Sequence, residues 1–270
     1  MNNLEAKANA IRVNILNCIG SIGVGHIGGC LSVADVLAVL YFKHMNIDPK
    51  NPKWEGRDKF VMSKGHAGPA LYSALAEAGY FDKSLLLTLN QNGTQLPSHC
   101  DMNKTAGVDF TAGSLGQGFS VAVGMAIGAK IKGESSYVYA ILGDGESQEG
   151  QIWEAGMLAA QQRLNNLIAF TDNNLMQIDG MTDEIVSLKP LAKKWEAFGF
   201  NVYEVDGHDV NAIDNAILGA KACKDKPSMI ILNTTKGKGV SFVEAAKAGS
   251  HSMSFNREQI EIALKELGVK

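Results

Sequence analysis

Tyr137-Val-Tyr-Ala-Ile-Leu-Gly-Asp-Gly-Glu146, then Gln151 to Arg163, then Leu167-Ile-Ala-Phe-Thr-Asp-Asn-Asn174 is the stretch that decides the fold. Tyr137 to Leu142 and Leu167 to Phe170 are short apolar runs that read as buried strands, and Gln151 to Arg163 between them has helical spacing. A strand–helix–strand crossover in a parallel sheet is right-handed and brings both strand ends to one sheet edge. Each end carries an oxygen donor, Asp144 on the first and Asn174 on the second. Mg²⁺ takes a nearly octahedral shell of hard oxygens, usually one or two protein groups plus phosphates and water. Asp144, Asn174 and a backbone carbonyl just after Asn174 answer that demand, while Gly143 and Gly145 let backbone approach a diphosphate. Taken alone, Gly143-Asp144-Gly145 is equally a tight turn capped by Asp144.

Working outward, helices and strands alternate. Leu4 to Ile19 and Val33 to His44 read as helices, the second behind Ser32 as a candidate cap, and Asp58 to Ser63 reads as a strand. Helices follow from about Gly68 to Glu77 and from Leu115 to Lys132; strands are expected at Asn201 to Val205 and Met229 to Asn233, with helices at Leu191 to Phe198, Val210 to Ala222 and Arg257 to Leu267. This alternation predicts an α/β fold, a mainly parallel sheet with helices on both faces. At 270 residues and 46% hydrophobic, the chain can bury a core as one domain over 1–270. A net charge of −3, with the signs interspersed, gives no basic patch for nucleic acid. The four cysteines, Cys18, Cys30, Cys100 and Cys223, form no CxxC, which argues against zinc and a disulfide framework. The polar start and the lack of a membrane-length apolar run make the cytoplasm the expected setting.

Gly23-Val-Gly-His-Ile-Gly28 satisfies GxGxxG, but an amphipathic helix rather than a strand leads into it, so a dinucleotide turn is rejected. No Walker A pattern or GxSxG elbow is present. Of six histidines, His26, His66, His99 and His251 follow Gly or Ser in loop contexts, where imidazole can bond a diphosphate, hold a sugar hydroxyl or relay protons. Any one of them, taken singly, reads as a solvated loop histidine. His44, on a helix, and His208, in Asp206-Gly-His-Asp209, read as structural.

Gly143-Asp-Gly145 followed a crossover later by Asn173-Asn174 resembles the thiamin diphosphate signature. Leu142-Gly-Asp-Gly-Glu-Ser-Gln-Glu-Gly150 with Asp172-Asn-Asn-Leu-Met-Gln-Ile-Asp-Gly180 resembles, more specifically, the N-terminal half of a transketolase, over nearly the whole chain. The resemblance implies a thiamin-diphosphate-binding fold whose metal, Mg²⁺ with Ca²⁺ as the other candidate, is held by Asp144, Asn174 and the Met176 carbonyl. It implies His66 and His251 near the diphosphate, along with Gly143, Gly145 and Glu146, and His26 and His99 as catalytic groups at the sugar's reacting end. Gly113-Ser-Leu-Gly-Gln-Gly118 resembles the family's Gly-Pro-Leu-Gly-Gln-Gly loop, so Gly113 would meet the aminopyrimidine and Leu115 would pack on the cofactor rings. Glu149 matches a glutamate that links two cofactor sites across an interface.

The chain departs from the family where Ile27, Cys100, Ala106 and Ser114 stand in place of prolines. Proline fixes φ, so these changes are expected to re-aim the neighbouring histidines and alter the preferred ketose. The glutamate that engages the cofactor's pyrimidine and the arginines that hold the sugar phosphate belong to the family's second domain, which would begin where Lys270 ends this chain. Only Arg12, Arg57, Arg163 and Arg257 are present, none in a phosphate-binding motif. The resemblance therefore implies one subunit of a split transketolase. With a C-terminal partner carrying the pyrimidine domain, in an α2β2 assembly, it would transfer a two-carbon ketol unit from a ketose phosphate to an aldose phosphate. Another thiamin enzyme, either a synthase joining pyruvate to an aldehyde or a 2-oxoacid dehydrogenase α chain, and a non-catalytic binding relic are the alternatives.

Overall fold

A computed structural model describes residues 3–269. Its central sheet contains β1 (Lys59–Met62), β2 (Val138–Gly143), β3 (Leu167–Asn173), β4 (Asn201–Asp206) and β5 (Ser228–Asn233), in the spatial order β1-β2-β3-β5-β4 with every pair parallel. The central strands are near-continuous apolar runs because both of their faces are covered. Along β2, Val138, Ala140 and Leu142 enter one core, while Tyr139 and Ile141 enter the other, the period of two that a pleated strand imposes.

The helices labelled here are α1 (Asn3–Gly20), α2 (Ala34–Val39), α3 (Gly68–Ala78), α4 (Gln117–Lys132), α5 (Gly150–Gln161), α6 (Leu191–Ala197), α7 (Val210–Ala222) and α8 (Arg257–Glu266). On one face α4, α5 and α6 contribute Phe119, Val123, Ile152 and Trp195. On the other, α1, α2, α3 and α7 contribute Ile11, Ile15, Leu37, Leu71 and Ile217. The helix starts and stops have local causes: Asp209 caps α7 by accepting from Asn211 N, Asn256 and Gln259 form a capping box on α8, and Gly79 ends α3 at φ 93.

One expected helix is altered. Over 33–44 the chain is α-helical only through α2, and Leu40–His44 is a π-turn closed by Met45 N donating to Leu40 O at 2.9 Å. At the end of this widened turn the adjacent Lys43 and His44 both reach Asp214, at 2.6 and 2.7 Å. Ser32 does not cap α2; its hydroxyl donates to the buried Asp172 Oδ2 at 2.7 Å, a charged acceptor that takes it away from the helix start. The GxGxxG segment follows α1, and within it Val24–Gly25 pairs antiparallel with Met253–Ser254, which draws His26 and His251 together. Among the described residues no helix is long and apolar enough to cross a membrane.

Candidate active site

The loops after β1, β2, β3 and β5 all open at the carboxyl edge of the sheet, where parallel α/β proteins bind ligands. They surround a cavity of about 330 Å³, and every candidate residue named from the sequence lines it, with exposed Glu149 at its rim. The four loop histidines form one cluster: His26 lies 5.4 Å from His66, 5.7 Å from His99 and 5.4 Å from His251 between ring centroids, and His66 lies 4.8 Å from His251. Burial, then His99 and Lys236, hold His26 below the ordinary imidazole value; burial alone lowers His99. Burial, Lys64 and the neighbouring rings push His66 well below it, and burial followed by Lys236 takes His251 down to about 4. Near pH 7 these rings are therefore neutral, each with one donor and one acceptor nitrogen.

Beneath the histidines lies a carboxylate the sequence reading gave no role. Asp172, fully buried at the end of β3, accepts from Lys64 Nζ at 2.6 Å, Ser32 Oγ at 2.7 Å, Asn174 Nδ2 at 2.8 Å and the Thr234 hydroxyl. Burial raises its pKa, but Lys64 and the side-chain donors outweigh this and hold it below the usual carboxylate value. Because Asn174 Nδ2 is committed to Asp172, its Oδ1 is turned toward Met176 N, at 3.1 Å.

Asp144 is in the opposite condition. Its Oδ1 accepts from Gly145 N at 2.8 Å, while Oδ2 is buried with no hydrogen-bond partner among the described residues. Burial, then Asp172, pushes its pKa up to about 7. A buried, unpartnered carboxylate oxygen is costly unless a cation meets it. Asp144, the Asn174 amide oxygen and the Met176 carbonyl are the hard-oxygen set that suits Mg²⁺ sharing its shell with phosphate. This set has a single carboxylate, and among the described residues no group of three or more His, Cys, Asp and Glu gathers for a metal.

Two lysines complete the cavity and were invisible as site residues in the sequence. Lys64 donates to Gly29 O at 2.8 Å as well as to Asp172. Lys236 has only long contacts, Met176 O at 3.3 Å and His251 Nδ1 at 3.4 Å, and burial, then Lys64, lowers its pKa to about 8. Each lysine follows a strand end within a Gly- or Thr-bearing loop, the signal that could have marked them. Glu146 lines the cavity, but its two oxygens accept from Ser63 Oγ, Gly116 N at 2.9 Å and Gly143 N at 3.0 Å. Gly65 has no room for a side chain: a Cβ there would fall 2.3 Å from Ala112 O, so the His66 and Gly113 loops touch backbone to backbone.

Ile27 has φ −75°, a value proline would also impose, and both Ile27 and Cys100 are buried away from the cavity. At Ile27 the missing proline thus leaves the backbone torsion where proline would set it. Arg12, Arg57 and Arg257 pair with Asp35, Asp109 and Glu261, and among the described residues no arginine lines the cavity.

Residues 4–270 match the family described as "Transketolase, thiamine diphosphate binding domain". The chain is 57% identical to the 6-deoxy-6-sulfo-D-fructose transketolase subunit SqwG of Clostridium sp. strain MSTE9, over 98% of this chain and 96% of that protein. It is 42% identical to an apulose-4-phosphate transketolase subunit of Actinobacillus succinogenes, over 98% and 95%. A transketolase structure from Pichia stipitis superposes with a TM-score of 0.93 at 32% identity, covering 99% of this chain and 41% of that one. With the site's geometry and these likenesses together, the chain belongs to the transketolase family, as its thiamin-diphosphate-binding domain.

Proposed function

We propose that this chain is a single diphosphate-binding domain forming one half of a split transketolase, and that its donor is a ketose ending in a sulfonate, of the 6-deoxy-6-sulfofructose kind. The observation that carries the catalytic reading is the unpartnered Asp144 Oδ2 in a cavity with four neutral imidazoles and a weakly engaged lysine. The sulfonate rests on the 57% identity to a subunit named for that sugar. When bound, thiamin diphosphate would supply the carbon that accepts and passes on the two-carbon ketol unit.

Asp144, Asn174 and the Met176 carbonyl would hold Mg²⁺, or Ca²⁺ in its place. His66, His251 and Lys236 would hold the diphosphate, with Gly143 and Gly145 admitting it closely and Glu146 fixing the loops around it. Gly113 and Leu115 would border the cofactor's rings. His26 and His99, neutral and adjacent, would hold a substrate hydroxyl and exchange a proton with it. The absence of arginine from the cavity supports a division of labour: a partner subunit with the pyrimidine-type domain would read the sugar's terminal anion, in an α2β2 assembly in the cytoplasm.

The test is two-carbon transfer from 6-deoxy-6-sulfofructose, fructose 6-phosphate, xylulose 5-phosphate and apulose 4-phosphate, using this chain alone and with its partner subunit. Turnover only in the mixture, fastest with the sulfosugar, is expected. Turnover by this chain alone would refute the split site, and preference for a phosphorylated ketose would refute the sulfonate donor.

A further inference from the structure

His208 lies outside the cavity, yet it fixes the loop that delivers Lys236 into it. We propose that His208 is the positioning residue for Lys236, acting through the Thr235 backbone with Asp35 and Arg12 behind it. This rests on the reading of Lys236 as an anion-binding cation.

The chain of contacts is directional. Thr235 N–H donates to His208 Nε2 at 2.8 Å, which makes Nε2 the acceptor and places the ring proton on Nδ1. Nδ1–H donates to Asp35 Oδ2 at 2.8 Å. Asp35 is in turn gripped by Arg12, through NH1 to Oδ1 at 3.1 Å and NH2 to Oδ2, the two-pronged geometry that best fixes a carboxylate's orientation. Asp35 and Arg12 are 5% and 8% exposed, so this support is an interior one, running from α1 through α2 to the loop after β5.

That loop needs such support because of how Lys236 is held. The ammonium's contacts at 3.3 and 3.4 Å are at the weak end of hydrogen bonding, so its place is set by the backbone that carries it. Around it, the Thr234 hydroxyl binds Asp172, and Gly237 N donates to Gly28 O at 3.0 Å. The amide between these two ties, next to Lys236 itself, is the one that ends on an imidazole. His208 N also donates to Asp206 Oδ1 at 2.8 Å, which secures the imidazole-bearing turn and leaves the ring free for Thr235.

The experiment measures thiamin diphosphate binding in Mg²⁺ by calorimetry, with the full chain assembled with its partner subunit. His208→Ala should raise Kd about 3- to 10-fold, the worth of one buried hydrogen bond, with kcat at saturating cofactor within about twofold of wild type. His208→Gln, which keeps a donor and an acceptor, should recover most of the affinity. His44→Ala removes an imidazole–carboxylate pair of the same kind away from the cavity and should lower Tm without moving Kd. Amide exchange at Thr235 should quicken in His208→Ala and stay slow in His44→Ala. Wild-type Kd in His208→Ala and in His208→Gln, with Lys236→Met weakened, would overturn the positioning role alone. Wild-type Kd in Lys236→Met would overturn the reading of Lys236 beneath it.

Discussion

Replacing Glu146 with Gln separates a clamp from a ligand. Glu146 is 3% exposed, with Oε1 taken by Ser63 Oγ and Gly116 N and Oε2 by Gly143 N. Gln offers one acceptor oxygen. In its better orientation it keeps the Ser63 and Gly116 contacts and turns an NH2 group toward the Gly143 N–H, so one charge-assisted bond is lost and a buried donor is stranded. Such a loss costs about 1.5–3 kcal/mol. Against it, the substitution removes a buried charge; burial has already raised the Glu146 pKa, so some desolvation cost is recovered. The balance is a destabilisation of about 1–3 kcal/mol, or a fall in Tm of about 2–10 °C for a domain of this size. Thermal unfolding of the cofactor-free chain followed by circular dichroism reads this directly, with calorimetric Kd for thiamin diphosphate in the assembled enzyme as the second measurement. The expected result is a lower Tm together with a modest rise in Kd, because the Gly143 and Gly116 turns flank the cavity. A variant as stable as wild type but markedly weaker in binding would refute the clamp and make Glu146 a direct contact of the cofactor.

Asp144→Asn should leave the Tm of the cofactor-free chain unchanged or raised, since it removes an unpartnered buried charge, while Mg²⁺-dependent thiamin diphosphate binding falls on the order of 100-fold; undiminished binding in calorimetry would contradict the metal assignment. Burial raises the Asp35 pKa, but His208 and Arg12 outweigh it and depress it overall. The stabilisation from this carboxylate is thus complete above the unfolded-chain value of about 3.9 and is lost as pH falls through the lower folded value. Asp35→Asn, which leaves the buried Arg12 uncompensated, should be about 3–5 kcal/mol less stable in urea melts at pH 7. The gap should close only below about pH 4, and a gap that narrows already at pH 6 would point to a different titrating group.

The strands were legible because both faces of the central ones are buried, which turns Tyr137 to Leu142 and Leu167 to Phe170 into unbroken apolar runs between turn residues. The crossover rule then placed Asp144 and Asn174 at one edge, and the structure has them there. The four histidines announced themselves through Gly and Ser neighbours and through the family resemblance. What sequence spacing did not carry was the buried polar network. Lysine ordinarily reads as solvated surface, so Lys64 and Lys236 became visible only when the strand order brought four loops together. Ser32 was misread as a cap because its true acceptor, Asp172, is 140 residues away. His208 was read as structural on its local turn, and its contact with Thr235 depends on β4 and β5 being neighbours.

The pairing of β2 with β3 sets Gly143 opposite Asp172, so one ladder register both fills the two cores and spaces the donors at its end. Strand pairing can change only in whole residues, each a step of about 3.3 Å that also swaps every side chain to the other face. A one-residue deletion in either strand would therefore carry Asp144 out of register with Asn174 and exchange the strand's side chains between the two cores in the same event. Insertions in the turn between α5 and β3 leave that ladder untouched. Length variation among relatives should accordingly collect in the connections, and loop grafting there is the route by which this scaffold can change its cavity rim while Asp144 and Asn174 keep their places at the sheet edge.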